Sequence, residues 1–296
     1  MPPEALRTPD DRFTDLPGYD FAPRYVELDG LRMHYLDEGP KDAEHTYLCL
    51  HGEPTWAYLY RKMIPVLTEA GGRVIAPDFF GFGRSDKPVD DAVYTYGFHR
   101  RSLLSFLDAV DLRSFTLVCQ DWGGILGLSL PLDVPERLAR LIVMNTAIPN
   151  GMMDPGPGFE AWKKYVAENP DFSVAGLMKR STPGITEAEA AAYEAPFPDR
   201  SYQAGVRTFP ALVPVRQDME GAAEGGQAAL WWMNEWSGPT FMAVGAQDPV
   251  LGPPAMKFLQ KIIRGCPDPL VLEDAGHFVQ EKGDVVARAA LEAFAG

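Results

Sequence analysis

The chain has 296 residues, 46% of them hydrophobic, enough for one large domain or a core carrying an insertion when domains average about 150 residues. Its formal net charge of -14 and the lack of any Lys/Arg-rich tract argue against a phosphate-binding surface, so nucleic acid is not an expected partner. No run of about eighteen uncharged apolar residues occurs, and the polar, proline-spotted stretch 1–20 has no apolar centre, so neither a membrane span nor an export signal is expected and a cytoplasmic location is.

In chain order, strands and helices alternate, which marks a mostly parallel sheet with helices on both faces, an α/β fold. Residues 25–28 and 31–36, hinged at Asp29-Gly30, predict a hairpin. A buried strand over 46–50 ends at His51-Gly52-Glu53-Pro54-Thr55-Trp56, and a helix over 58–69 stops at Gly71-Gly72. A strand over 73–78, a Gly-rich loop over 79–87 and a helix over 96–110 lead to the strand 115–120. A helix from Gly123, interrupted at Pro131, precedes a strand over 141–144. The strand rhythm then stops, and Pro/Gly punctuation surrounds helical stretches at 159–168 and 186–194. Residues 149–218 are therefore expected to form an inserted helical cap, with 1–148 and 219–296 as the core. The rhythm returns with a strand over 240–245, a helix over 254–263, a strand over 269–272 and a last helix over 285–294. Three cysteines lack metal spacing; Cys49 and Cys119 sit in apolar runs and Cys266 in a Gly-Cys-Pro turn, so they read as packing residues.

The strand 115–120 runs into Gln120-Asp121-Trp122-Gly123-Gly124. A small residue two places after the reactive one permits a sharp strand-to-helix turn that lifts the reactive side chain clear of the sheet. Here that side chain is Asp121, a carboxylate suited to displacing a leaving group from carbon. Trp122 offers an N–H donor and no acceptor, which suits an anion. By itself this stretch also fits a buried aspartate capping a helix.

Other candidates fall at strand ends, where open α/β sheets place their sites. Asp248 follows the strand ending at Gly245, and His277 follows the last strand, so the order nucleophile, acid, histidine matches the α/β-hydrolase order. Structural or solvent roles are assigned to His34, His45 and His99, and His51 is expected to support its loop by hydrogen bonding. His277 stands where a base belongs. Asp78 and Asp274 rival Asp248 as the orienting acid. Asn145 occupies another strand end, but an amide cannot stabilise an imidazolium as a carboxylate does, and Asp274 is too close along the chain to reach the far ring nitrogen.

These motifs, together with Pro196-Phe197-Pro198-Asp199, Ser201-Tyr202-Gln203-Ala204-Gly205-Val206-Arg207 and Ala275-Gly276-His277-Phe278-Val279-Gln280-Glu281, give the chain an end-to-end resemblance to the haloalkane dehalogenases of the α/β-hydrolase superfamily. The resemblance implies Asp121 as nucleophile, His277 as base, Asp248 as acid, and Trp122 with cap residue Trp162 as halide donors. It also implies that Phe159, Phe209, Pro210, Val213, Val250 and Leu251 line an apolar pocket. Similar sequences carry tryptophan after the Met-Lys-Arg of the cap, whereas Met178-Lys179-Arg180 leads here to Ser181, a departure that bears on substrate size and access.

The chemistry expected of these groups is attack by Asp121 on the halogen-bearing carbon, followed by hydrolysis of the alkyl ester by water that His277 deprotonates. Backbone N–H groups of Glu53 and Trp122 are the expected oxyanion donors. No metal or organic cofactor is required; the partners are an apolar halogenated substrate, halide and water, and a monomer is expected. An epoxide hydrolase also uses an elbow aspartate, with cap tyrosines assisting the leaving oxygen, and Tyr165, Tyr193 and Tyr202 keep that alternative open. A fluoroacetate dehalogenase would need cations for the substrate carboxylate, but the residue after Asp121 is Trp, not Arg. A binding protein on a hydrolase fold has no need of Asp121, Asp248 and His277 together.

Overall fold

A computed structural model describes residues 2–295. Strand β1 (Ala5–Leu6) pairs antiparallel with β6 (Lys87–Pro88) in a small sheet of their own. The other eight strands are β2 (Arg24–Leu28), β3 (Leu31–Glu38), β4 (Thr46–Leu50), β5 (Arg73–Pro77), β7 (Phe115–Gln120), β8 (Leu138–Met144), β9 (Thr240–Gly245) and β10 (Leu270–Leu272). They form one sheet in the order β10-β9-β8-β7-β4-β5-β3-β2. From β10 to β5 all neighbours are parallel, and β3 and β2 add an antiparallel edge. The expected hairpin is present: Leu28 pairs with Leu31, and Asp29 (φ 51) and Gly30 (φ 80) take the left-handed conformations that a two-residue turn between twisted strands requires.

The middle of the sheet is buried on both faces, which is why β7 is buried at every position and reads as a continuous apolar run, not an alternating one. Helices α1 (Ile64–Glu69), α2 (Tyr96–Ala109), α3 (Trp122–Gly127), α9 (Pro253–Ile262) and α10 (Gly283–Ala295) belong to the βα rhythm. Between β8 and β9 lie α4 (Gly156–Glu168), α5 (Val174–Ser181), α6 (Glu187–Glu194), α7 (Ala204–Leu212) and α8 (Ala222–Asn234). Caps set several of their starts. Thr95 Oγ1 accepts from the Phe98 N–H, Ser173 Oγ from the Gly176 N–H, and Thr186 with Glu189 closes a reciprocal capping box.

Several expectations need correction. The helix over 58–69 is a 3-10 turn, Ala57–Tyr60, followed by a short α1, because the Asp78 carboxylate captures the Ala57 N–H and pins the turn to the sheet. The helix after Asp121 ends at Gly127, well before Pro131, which lies in a separate 3-10 turn, Leu130–Leu132. Helices α5, α7 and α8 escaped the sequence reading. Pro210 lies inside α7 and Gly225-Gly226 inside α8, so their stability comes from buried faces that outweigh poor local propensity. A guanidinium joins α6 to the core: Arg61, 3% exposed, reaches Glu189 at 2.8 Å and Glu281 at 2.7 Å, and Tyr193 of α6 also hydrogen-bonds Glu281.

Candidate active site

Asp121 occupies the turn between β7 and α3 with φ 50, a conformation that strains any residue with a Cβ. The surroundings hold it there. Its N–H donates to the Asn145 carbonyl at 2.9 Å, and its own carbonyl accepts from Thr146 Oγ1 at 2.7 Å. Gly123 is required two residues on, since a Cβ there would sit 2.0 Å from the Leu50 carbonyl oxygen where α3 crosses β4. The Asp121 carboxylate accepts from the Glu53 N–H at 2.8 Å and is also held by the Trp122 N–H. Burial pushes its pKa up, and the neighbouring His277 and these two N–H groups only partly offset that.

His277, on the loop after β10, has Nδ1 2.7 Å from Asp248 Oδ2 and Nε2 3.7 Å from Asp121 Oδ2. Burial opposes charge on the ring, but Asp248 and Asp121 outweigh it and His277 is pushed up to about 9. Asp248 follows β9 and has no exposed side-chain surface. Burial would raise its pKa; His277, the Asn145 amide at 2.9 Å and the Val250 N–H at 2.8 Å hold it down to about 2. The structure thus brings Asp121, Asp248 and His277 together from three strand ends. Asn145 supplies a donor to Asp248. Gln120, just before Asp121, reaches His277 with its amide nitrogen 2.9 Å from Nε2. From the sequence Asn145 was weighed only as a possible acid and set aside, and Gln120 was given no role, although both stand at strand ends beside named candidates.

The rival groups are occupied elsewhere. Asp78 is buried against His34 at 2.7 Å, and exposed Asp274 pairs with Lys282 at 2.6 Å. His51 supports its loop, Nε2 accepting from the Phe79 N–H at 2.9 Å. Burial pushes His99 down to about 3 among aromatic rings.

A cavity of about 310 Å³ opens over Asp121. Phe159, Pro210, Val213, Val250, Leu251 and Trp162 line it, as do Glu53, Trp122, His277 and Ser181. Phe209 does not. Its ring packs behind the wall, 4.6 Å from the Trp122 ring and 4.7 Å from Phe82, because the α7 turn that presents Pro210 to the cavity directs the preceding side chain into the core. Phe209 therefore backs Trp122 and makes no wall of the pocket. The Glu53 side chain is itself buried, with Oε1 lacking a partner among the described residues, and burial and then Asp121 push its pKa well above the usual range, only the Trp162 side chain favouring the charge.

A mostly parallel sheet with its reactive side chains gathered at the carboxyl ends of its strands, one of them on a strained strand-to-helix turn, is the α/β-hydrolase architecture. The family model described as alpha/beta hydrolase fold matches residues 48–284. A haloalkane dehalogenase of Psychrobacter cryohalolentis is 47% identical over 96% of this chain and 95% of that protein, and one of Mycolicibacterium paratuberculosis is 40% identical over 93% of each. Among solved structures, the tetrameric haloalkane dehalogenase DpaA from Paraglaciecola agarilytica NO2 superposes with a TM-score of 0.95 at 50% identity, covering 98% of both chains. The chain belongs to the haloalkane dehalogenases, hydrolases that act on carbon–halide bonds.

Proposed function

We propose that this chain cleaves haloalkanes through an alkyl ester on Asp121, and that residues 149–218 act as the cap closing its substrate cavity over the core of 1–148 and 219–296. The observation that carries the reading is a desolvated carboxylate at the floor of a largely apolar cavity with a separate His–Asp pair 3.7 Å away. Asp121 attacks the halogen-bearing carbon, the carbon–halogen bond breaks, and the halide leaves towards the indole N–H groups of Trp122 and Trp162. Loss of hydration strengthens the nucleophile, and the apolar walls suit the uncharged substrate. Water then adds to the ester carboxyl carbon as His277 takes its proton, with Asp248 steadying the imidazolium. The Glu53 and Trp122 N–H groups, already aimed at the carboxylate, receive the developing oxyanion.

Esterification also tunes the base. It removes the Asp121 charge, one of the two anions that raise the His277 pKa, so the ring becomes easier to keep neutral in the step that needs it neutral. Among the described residues, the cavity wall includes none of Tyr165, Tyr193 and Tyr202, which disfavours epoxide opening, and no Lys or Arg, which disfavours a carboxylated substrate. The test is His277→Gln. It should release one halide per site and then stall with the alkyl mass on Asp121, seen by intact-protein mass spectrometry; sustained turnover by that variant would overturn the mechanism.

Self-association fits the surface better than the monomer expected from sequence. Leu230 and Met233 on α8 and Phe258 on α9 stand exposed on helices that pack together, and a relative at 50% identity is described as tetrameric. Sedimentation velocity should give a species larger than the 32.6 kDa chain, and a single 32.6 kDa species at micromolar concentration would refute this.

A further inference from the structure

We infer that Gln120 is a positioning residue that favours the neutral, Nδ1-protonated form of His277 by presenting an amide N–H to Nε2, so that once Asp121 is esterified the ring is able to accept a proton from water. The inference rests on the reading of His277 as the base. It starts from two contacts made by one atom.

Gln120 ends β7 and is fully buried. One terminal atom of its amide lies 3.2 Å from the His277 carbonyl oxygen and 2.9 Å from His277 Nε2. Which end of an amide is nitrogen is decided by its partners. A carbonyl oxygen only accepts, so the atom beside it must be the NH₂ group, and an amide NH₂ only donates. The Nε2 atom that shares this donor must therefore supply a lone pair. On the other side of the ring, the Asp248 carboxylate at 2.7 Å from Nδ1 offers only acceptors, which puts the ring proton on Nδ1. The two contacts together select one tautomer and disfavour the imidazolium, whose Nε2–H would point at another N–H.

The amide is not in this orientation because it satisfies Gln120. The other end, Oε1, is buried with no partner among the described residues. Turning the amide over would bring Oε1 to Nε2 but set it against the His277 carbonyl, so the main-chain contact locks the donor in place.

The site needs such a group because every charge facing His277 favours its protonation. Asp248 approaches from the loop after β9 and Asp121 from the strand-to-helix turn, while Glu53, from the loop after β4, lies next to Asp121 with its buried carboxyl driven towards the neutral form. Left to those carboxylates, Nε2 would keep a proton well above neutral pH, and a base that holds its proton cannot take one from water. Gln120 carries no charge, but its N–H, directed at Nε2, opposes protonation there. In the hydrolytic step, water gives a proton to Nε2 as its oxygen bonds to the carboxyl carbon. The imidazolium passes that proton to the departing alkoxide, the reformed carboxylic acid loses its own, and Nε2 returns to the amide.

The test has two readouts. In single-turnover decay of the alkyl-enzyme, the midpoint of the acid limb should rise by about one pH unit in Gln120→Met, which keeps the length but lacks the donor, since one neutral hydrogen bond is worth that much. It should rise further in Gln120→Glu, whose carboxylate welcomes the imidazolium. Unshifted midpoints in both variants would overturn the inference, with the base assignment intact as long as His277→Gln still stalls. Decay in His277→Gln would instead remove the base itself. Should the variants fail to fold, ¹⁵N spectra of histidine-labelled parent protein across pH decide: an Nε2 midpoint below about 9, the value that burial and the two carboxylates set, supports the inference, and a midpoint at or above it sinks it.

Discussion

Two indoles differ in how firmly their surroundings hold them. Trp122 starts α3, is 2% exposed and has the Phe209 ring packed 4.6 Å from its own, so its N–H has one direction to point. Trp162 lies on α4, stacked on Tyr165 at 5.9 Å and edge-on to Phe172 at 5.4 Å, with the Glu53 carboxyl as its polar neighbour. On the proposed mechanism, a halide entering the cavity would compete with Glu53 for that N–H. Replacing either Trp by Phe keeps aromatic bulk and deletes the donor, and a hydrogen bond to a charged partner contributes about 1.5–3 kcal/mol. Bromide affinity, read from tryptophan fluorescence quenching, should therefore fall by about one to two decades in each variant. Unchanged bromide binding in Trp162→Phe would assign the second donor to a different residue.

At the scale of the element, α5 forms part of the cavity wall. Ser181 closes that helix with Oγ donating to the Leu177 carbonyl at 2.8 Å, and both residues line the cavity. Its own carbonyl lies against the backbone before His277, where a Cβ on Gly276 would meet it at 2.1 Å, so α5 sits directly over the catalytic loop. An indole in place of Ser181 would add a side chain that buries about 150–250 Å² to a space of about 310 Å³. Turnover of long bromoalkanes by Ser181→Trp should drop more than turnover of short dihaloethanes, in a panel assayed by halide release. A uniform drop, or none, in a folded variant would move the control of chain length to Phe159 and Leu251.

Across the whole molecule the carboxylates decide acid stability. Burial raises Glu281, Asp78 and Glu189, but Arg61 and Lys62 outweigh it at Glu281, His34 at Asp78, and the Thr186 cap with Arg61 at Glu189, which falls to about 2. Folded pKa values below the unfolded range mean stability that is complete above about pH 4 and is lost as pH falls towards 2. The charge of -14 acts with the opposite sign, because protonation relieves self-repulsion, so a net decline reports the specific pairs. Urea midpoints should fall steadily from pH 5 to pH 2.5 in the parent. In Glu281→Gln the midpoint should start lower at pH 7, with Arg61 left short of a buried partner, and decline less steeply; an equal slope would show that Glu281 plays no part in acid unfolding.

The sequence by itself determined whatever one segment can encode. Apolar runs such as 115–120 mark buried strands because parallel strands are covered on both faces. Gly123 marks the turn because no Cβ fits under the Leu50 carbonyl, and Asp29-Gly30 marks a hairpin because both residues must take positive φ. Those patterns were enough to place Asp121, Asp248 and His277 at strand ends, and to place His51 in its supporting role. Only the tertiary structure decided which acid meets the histidine: Asp78, Asp248 and Asp274 all follow or border strands, and their partners, His34, His277 and Lys282, lie at sequence separations of 44, 29 and 8. The same holds for Phe209, which a pattern of apolar cap residues assigns to the pocket and the turn of α7 sends behind it. It holds for α8, whose glycines oppose a helix until packing against the core overrides them. The donor roles of Gln120 and Asn145 were silent in the sequence because an amide carries no charge and reveals its orientation only through the atoms that surround it in the folded chain.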